Sequence, residues 1–566
     1  MYLETLPWHL PPGWPLILGG PLLALLPVRL RAGLLPLPAL LALIHLALFD
    51  VGDFGTITLV NQTLILARLD ALAQPFAWLF GFAALIGSVY LRSRPRRREI
   101  AAGLGYAGAS IAAVCAGDLL SLFLYWELTA LTSTLLLVRN DAHTDHGIAL
   151  RYLIVQLLSG VLLLGGIALR LQSGHTLNFT VLPLGSAGSI WILAAFAIKA
   201  AFPLLHGWAV EAYPAASPAG TVFLSAFTTK LALYALARSF SGVPLLIPVG
   251  VVMIVFTLVL GWREDDLRRT LVYGLINQLG VMIMALGIGT PLAQTAAVAH
   301  AASHVLYSSL LFMVLGVVLQ RTGTCRASEL GGLWRKMPWT FAFCLLGTAG
   351  MAAPPFAGFA SKSMILEAIE AAHRPDLWWL VMAGSVGVFF TTGLKIVYFA
   401  FLGPVSNRPV ADASRGTRQA MSLAMLGLLV LGWRPDLLSH TAEYTPYTAA
   451  HVLEQYFLLA FTTGAFALAL RRNLLPRMVA GVWDMDALPQ ALPGLWRCTQ
   501  RRFRERQSRI QNGIRRLMDI LPTRILWDGS DNSIRARHRQ TGSMAMWVVV
   551  LLVSYLLLYF VSLIST

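Results

Sequence analysis

Apolar residues in this chain come in runs of about 17–25, long enough to cross a bilayer as helices, with short polar breaks between them. The runs predict about sixteen spans. Spans 1 to 8 fall near residues 14–29, 33–49, 67–91, 99–116, 118–138, 148–171, 186–210 and 217–238. Spans 9 to 16 fall near 245–262, 270–289, 294–320, 338–369, 377–403, 419–436, 453–471 and 545–563. Span 12 is long and interrupted by Pro354 and Pro355. The fold class expected is an all-α polytopic membrane protein.

Charge sits where topology would put it. Arg92, Arg94, Arg96, Arg97 and Arg98 follow span 3, and WREDDLRR follows span 9. Arg321, Arg326, Arg335 and Lys336 follow span 11, and Arg408, Arg415 and Arg418 follow span 13. Loops after even spans, such as GDFGTITLVNQT and LQSGHTLNF, are nearly bare of Lys and Arg. Cytoplasmic loops accumulate Lys and Arg, so the odd-span loops are expected in the cytoplasm and the N-terminus outside. A cell-membrane (inner-membrane) location with many passes follows. MYLETLPWHLPP lacks the basic stretch of a cleavable signal, so the first span is expected to direct insertion.

Composition narrows the function classes. The 566 residues are 57% hydrophobic and only 12% charged, with a net charge of +16. A soluble domain carries about 25% charged residues, so a soluble enzyme is excluded. In so apolar a chain the basic excess reports topology and not nucleic-acid binding. Cys115, Cys325, Cys344 and Cys498 stand alone, without the clustered thiolates that zinc or iron–sulfur sites need. No phosphate-binding glycine loop appears. No cofactor and no metal are expected.

Between spans 15 and 16 lies a polar, arginine-dense stretch. Phe503, Ile510, Ile514, Leu517 and Leu521 recur there at helical spacing among Arg501, Arg502, Arg504, Arg506, Arg509, Arg515 and Arg516. That pattern predicts an amphipathic lateral helix on the cytoplasmic membrane surface, over 493–524, either anchored to anionic lipids or bracing the protein.

Ionisable groups also appear inside the spans, where each costs about 2.5–3.5 kcal/mol even on lenient scales. Glu127 lies on span 5, Lys199 on span 7 and Lys230 on span 8; His300 and His304 lie on span 11, Lys362 on span 12 and Lys395 on span 13. One structural ion pair would not account for so many groups on six spans, and the set predicts a proton pathway. Glu127 and Lys199 form the natural pair. Pro203 removes the backbone donor for the Lys199 carbonyl, so span 7 should break there and admit water. Histidine changes charge near neutral pH, which suits His300 and His304 to a relay between lysines. Lys199 precedes Lys230 by 31 positions and Lys362 precedes Lys395 by 33, each leading lysine beside a proline interruption. Oppositely directed spans 7 and 12 then suggest two inverted five-helix repeats.

At these residues the chain resembles the antiporter-like subunits shared by respiratory complex I and Mrp-type cation/proton antiporters. The resemblance covers roughly residues 65–405. It rests on GDLLSLFLYWEL, HGWAVEAYPAASPAGTVFLSAFTTK, DDLRRTLVYGLINQLGVM, HAASHVLYSSLLF and LGGLWRKMP…PPFAGFASKS. It implies a core of fourteen helices in two inverted repeats around a hydrated polar axis, with spans 7 and 12 broken. It implies that Glu127 is the proton-channel glutamate, Lys199 and Lys230 the lysines of spans 7 and 8, His300 and His304 the relay, and Lys362 the exit residue. Lys395 matches a position that is often basic. Two departures stand out: Ser308 replaces a usually ionisable residue, and Val210 and Tyr213 replace the usual proline and histidine around Glu211. The lateral helix and span 16 resemble a shortened form of the extension on the largest complex I antiporter-like subunit, and similar tails occur in membrane hydrogenases.

The chain is thereby expected to divide into residues 1–98 (spans 1–3), 99–240 (first repeat), 241–405 (second repeat), 406–475 (spans 14–15), 476–543 (lateral segment) and 544–566 (final span). Two functions stay open. One is a proton-translocating subunit of a multisubunit sodium or other monovalent cation/proton antiporter. The other is a pumping subunit of a complex I-like NADH:quinone oxidoreductase or membrane-bound hydrogenase, whose redox chemistry lies in other subunits. Expected partners are further membrane subunits, protons, sodium as a candidate coupling ion, and anionic lipids at the lateral segment, but no nucleic acid.

Overall fold

The computed structural model describes residues 11–474, apart from 60–61, 139–145, 405–409, 438–445 and 473. The expected lateral segment over 476–543 and the final span near 545–563 lie outside the described residues.

The chain opens with α1 (Trp14–Leu25), α2 (Val28–Leu34) and α3 (Leu37–Leu48). A hairpin of β1 (Gly52–Leu59) and β2 (Gln62–Leu69) follows, antiparallel, with Gly52 opposite Leu69 and Leu59 opposite Gln62. The hairpin corrects two expectations, an all-helical fold and a third span beginning near residue 67. Thr56, Ile57, Thr58, Thr63 and Ile65 are β-branched and favour extended backbone, in what reads by charge alone as a bare loop. The third span instead begins after Asp70, whose Oδ1 accepts from the amides of Leu72 and Ala73 at 3.2 and 2.9 Å. The Arg238 guanidinium grips both Asp70 oxygens at 2.7 and 2.8 Å. Within the hairpin, the Arg68 guanidinium beside Asp53 holds that carboxyl below its ordinary range.

The helices α4 (Ala73–Leu91), α5 (Arg97–Val114), α6 (Leu119–Leu137) and α7 (His146–Gln172) come next. Then come pairs that interrupt single expected spans: α8 (Ser189–Lys199) with α9 (Gly207–Ala215), and α10 (Pro218–Ala226) with α11 (Thr228–Ser239). Three uninterrupted helices follow, α12 (Leu246–Arg263), α13 (Leu267–Ile288) and α14 (Pro291–Thr322). Next are α15 (Pro338–Ala349), α16 (Ala357–Ala371) and α17 (Pro375–Val388), the last continuing as π-helical turns over Phe389–Leu394 and Val397–Leu402. The described part closes with α18 (Arg415–Trp433) and α19 (Ala449–Arg471).

Among the described residues, 10 helices are long and apolar enough to cross a membrane; Trp14–Leu25, Ser189–Lys199 and Pro338–Ala349 are apolar but shorter. The chain is a multi-pass membrane protein. Helix starts are written locally, because Asp118, Ser217, Asp266, Thr290, Ser414 and Thr448 each accept a backbone N–H of the helix they precede. At the centre stands α14, whose 32 residues rise about 48 Å. It is buried over most of its length and packs against α4, α10, α13, α15, α16 and α18. The α12–α13 contact closes through small residues: a β-carbon on Gly250 would fall 2.4 Å from the Gly280 carbonyl oxygen.

Asp118 joins hairpin to bundle. Its carboxylate is buried and accepts from the amides of Ile65, Leu120 and Ser121 at 2.8–2.9 Å and from the Ser121 hydroxyl at 2.7 Å. Asp118→Ala strands those donors and removes a helix cap, so it should cost about 2–4 kcal/mol. Asp118→Asn, which keeps an acceptor, should cost less. Thermal unfolding of the purified protein in detergent reads the difference, and an unchanged midpoint in Asp118→Ala would discount this junction.

Candidate functional site

Lys199, Lys230 and Lys362 lie near helix interruptions, whereas Glu127, His300 and His304 lie within continuous helices. α8 ends at Lys199, and the chain then turns through Ala201 and Leu204, both with positive φ (52° and 69°), and Pro203, before α9 begins. The interruption lies where Pro203 places it. Lys199 is fully buried; its Nζ donates to the Trp126 carbonyl at 2.8 Å, lies 3.0 Å from the Thr129 hydroxyl and sits 4.2 Å over the Trp126 ring. The ammonium is thus bound to the backbone of α6, one residue before Glu127, and not to the Glu127 carboxylate. The expected pair share one helix turn without a direct bond.

Glu127 is buried, and neither carboxylate oxygen has a hydrogen-bond partner among the described residues. Lys199 acts on it through space. Its carboxylate lies on Gly160 of α7, where a β-carbon would fall 1.5 Å from Oε1, so any larger residue would displace it. On the same helix, one turn before Gly160, the amide of Gln156 is fully buried and also unpartnered. Buried polar groups are normally hydrogen-bonded, so a carboxylate and an amide left open together are unusual for groups that only hold a fold together.

A second interruption, not expected from the sequence, separates α10 from α11 at Phe227. The Thr228 amide donates to the Tyr106 hydroxyl of α5 at 2.7 Å and not to its own helix. The Ser225 carbonyl turns to the buried Lys230 Nζ at 3.0 Å. The signal was faint: Tyr106 is 122 positions away from Thr228.

Across the bundle, His300 of α14 holds two partners at once. Its Nε2 lies 2.9 Å from Gln278 Oε1 of α13, and its Nδ1 lies 3.0 Å from the Ser361 hydroxyl of α16. Ser361 continues to Ser303 at 2.8 Å. In the other direction Gln278 donates to Asn277 Oδ1 at 2.8 Å, and Asn277 donates to the Ile254 carbonyl and the Thr257 hydroxyl. Reading charges alone misses Asn277, Gln278 and Ser361, which are neutral; their sole signal is a polar pair inside an apolar run. His304, one turn from His300, packs its ring 5.0 Å from Tyr307, and its Nδ1 is buried without a partner among the described residues. Among the described residues Ser308 donates to the Val305 carbonyl of its own helix at 3.3 Å.

Lys362, next to Ser361, reaches the Met351 carbonyl at 3.3 Å in the gap between α15 and α16. Lys395 is set apart. Its Nζ donates at 3.0 Å to the carbonyls of Gly261 and Trp262 and also to that of Glu264, covering the end of α12. A cation on the last carbonyls of a helix caps it and complements its dipole. Glu211 is held by Arg151, and Arg268 covers the end of α9 through the carbonyls of Tyr213, Pro214 and Ala216. Among the described residues no cluster of histidine, cysteine or carboxylate side chains would hold a metal ion.

Comparison with known proteins follows the same stretch. The family described as NADH:quinone oxidoreductase/Mrp antiporter, TM matches residues 116–391. NADH-quinone oxidoreductase subunit L of Pseudomonas aeruginosa is 30% identical over 457 residues, 74% of this chain and 71% of that protein. A probable K(+)/H(+) antiporter subunit of Rhizobium meliloti is 30% identical over 459 residues, 73% of this chain but only 44% of its own length. Among solved structures, a chain of an archaeal respiratory membrane complex, the membrane-bound sulfane sulfur reductase, superposes with a TM-score of 0.69 at 22% identity, over 97% of this chain and 100% of that one. At that identity the likeness is one of fold. Sequence and fold agree, and the chain belongs to the transmembrane family shared by NADH:quinone oxidoreductases and Mrp antiporters.

Proposed function

We propose that this chain is the proton-translocating subunit of a multisubunit monovalent-cation/proton antiporter, with sodium as the exchanged ion, and that protons move along Glu127, Lys199, Lys230, His304, His300 and Lys362. The observation that carries the reading is the broken helix at Lys199, whose buried ammonium rests on the backbone beside an unpartnered carboxylate. A proton carrier must be able to give its proton up. Held by a carbonyl, Lys199 keeps its contact as a neutral amine, which still has two N–H donors. The unpartnered Glu127 carboxylate is the acceptor available on the same helix turn. Lys230 and Lys362 both act through space on His300, and Lys230 and His300 on His304. On this reading Gln278 and Ser361 hold the His300 ring in one orientation, and Lys395 belongs to the scaffold more than to the route.

A parallel order of elements in the two halves, as two five-helix repeats would have, supports the same plan. Asp118 and Asp266 each cap a helix, and each bridges to a residue 60 positions on, Asn178 and Arg326. In each half a long helix follows, then a broken helix carrying a lysine (Lys199, Lys362), then an irregular one carrying another (Lys230, Lys395). The arginine-rich loop ends are assigned to the cytoplasm on their charge. A second reading, a pumping subunit of a redox-driven complex, is favoured by the equal identity to the Pseudomonas subunit L. Purifying the chain with its neighbours and identifying them by mass spectrometry separates the two: small antiporter subunits support the first, redox subunits the second.

Three sets of variants test the route in proteoliposomes holding the assembled complex. Glu127→Gln keeps the shape but not the charge, and proton transport should fall roughly tenfold or more. Normal transport with normal assembly would remove Glu127 from the route. Lys199→Ala and Lys362→Ala should each abolish most transport, with Lys230→Ala comparably severe and Lys395→Ala milder; Lys395→Ala should instead lower thermal stability. Gly160→Ala should slow transport while the protein still inserts, because the added methyl takes the space of the Glu127 carboxylate. Wild-type rates in that variant would mean that Glu127 works from elsewhere.

A further inference from the structure

Away from the buried axis, at the arginine-rich end of the bundle, a cavity of about 390 Å³ opens between the end of α4, the start of α10 and the end of α14. Tyr90, Arg94, Arg96, Glu99, Ser217 and Ala219 are among the residues that line it. Three features converge on one kind of ligand. First, α10 starts here. Pro218 has no amide hydrogen, and Ser217 Oγ takes the amide of Gly220 at 2.9 Å, so the Ala219 N–H is the open donor of a positive helix end. Second, Tyr90 is 3% exposed and its hydroxyl has no hydrogen-bond partner among the described residues. That hydroxyl borders the α10 start, since a β-carbon on Gly316 would lie 2.7 Å from it and 3.0 Å from Pro218 Cβ. Third, Arg94 and Arg96 stand at the mouth, with Arg92, Arg97 and Arg98 in the same loop, and Glu99 lies 3.5 Å from Arg96.

The geometry points to a binding site for a phosphate group, presented by an anionic phospholipid headgroup or as free phosphate, between Tyr90, Arg94, Arg96 and the N-terminus of α10. Phosphate oxygens accept from a backbone amide, a phenol and guanidinium groups together, and a helix N-terminus favours their charge. The cavity is roomy enough for a headgroup and lies at a helix end, where headgroups sit. None of these residues belongs to the proposed proton route, so the site is independent of it.

The test uses the purified full chain in its complex, delipidated in detergent. Binding is read by native mass spectrometry with added phosphatidylglycerol, with phosphatidylcholine as control, and by the thermal-unfolding shift in inorganic phosphate. Phosphatidylglycerol should be retained over phosphatidylcholine. Arg94→Gln with Arg96→Gln should weaken retention by about tenfold or more, since a single lost charge-assisted contact is already worth about tenfold. Tyr90→Phe, which keeps the ring and its packing, should weaken it by a smaller factor. Arg92 lies outside the cavity, with its Nε 3.2 Å from the Ala32 carbonyl, so Arg92→Gln should have no effect. Retention of the lipid without a phosphate-induced shift identifies a headgroup, and a phosphate-induced shift lost in Tyr90→Phe identifies the free anion. Equal retention of both lipids with no shift in phosphate would overturn the site. So would an Arg92→Gln effect as large as that of the double variant, which would mean unspecific attraction by the loop.

Discussion

Inside a membrane every backbone carbonyl that leaves a helix must find a donor within the protein. At the interruptions of this bundle that donor is repeatedly a lysine. Lys230 takes the carbonyl of Ser225 beside the α10–α11 break, and Lys362 that of Met351 beside the α15–α16 break. At the α8–α9 break the donor is instead the Trp208 indole, which reaches the Ile198 carbonyl at 2.9 Å, while Lys199 takes the carbonyl of Trp126 inside α6 and Lys395 covers the end of α12. At the α10–α11 and α15–α16 breaks the lysine thus satisfies a carbonyl of the interruption, and all four lysines rest on backbone carbonyls. A buried ion pair would lock both charges, since breaking it leaves an uncompensated charge.

The acid side of the site is arranged the opposite way. Glu127 is left open, and the space it needs is made by the missing side chain of Gly160. Carboxylates that are paired, such as Asp70 with Arg238 and Glu211 with Arg151, lie elsewhere and tie elements together. Those carboxylates have arginine partners, whereas among the described residues Glu127 has no hydrogen-bond partner on either oxygen. By the same contrast Lys395, with its several carbonyls, stands nearer to scaffold than to carrier.

Much of this was legible in the sequence, and the rest was hidden for definable reasons. Apolar runs locate the helices, and Pro203 locates the break after Lys199, because both signals are local. Glu127, Lys199, Lys230, His300, His304 and Lys362 stand out since charge in an apolar run is costly. The hairpin at 52–69 was missed because a reading tuned to span length passes over strands of eight residues. The break at Phe227 depends on Tyr106, far away in the chain, and has no proline to announce it. Gln278 and Ser361 are neutral, and only the folded structure brings them to the two nitrogens of His300. That Lys199 meets the Trp126 carbonyl and not the Glu127 carboxylate could not be read from spacing, which says which helices carry charge but not how they are rotated.

A continuous proton route from Glu127 to the histidines needs water at the buried polar atoms that lack a protein partner. An experimental map of the protein in its complex, at a resolution that shows ordered water, tests this most directly. Density for water within hydrogen-bond distance of the Glu127 carboxylate, the Gln156 amide and His304 Nδ1 is the predicted result. A dry, close-packed contact at those atoms, or a Glu127 carboxylate bonded directly to Lys199, would contradict it.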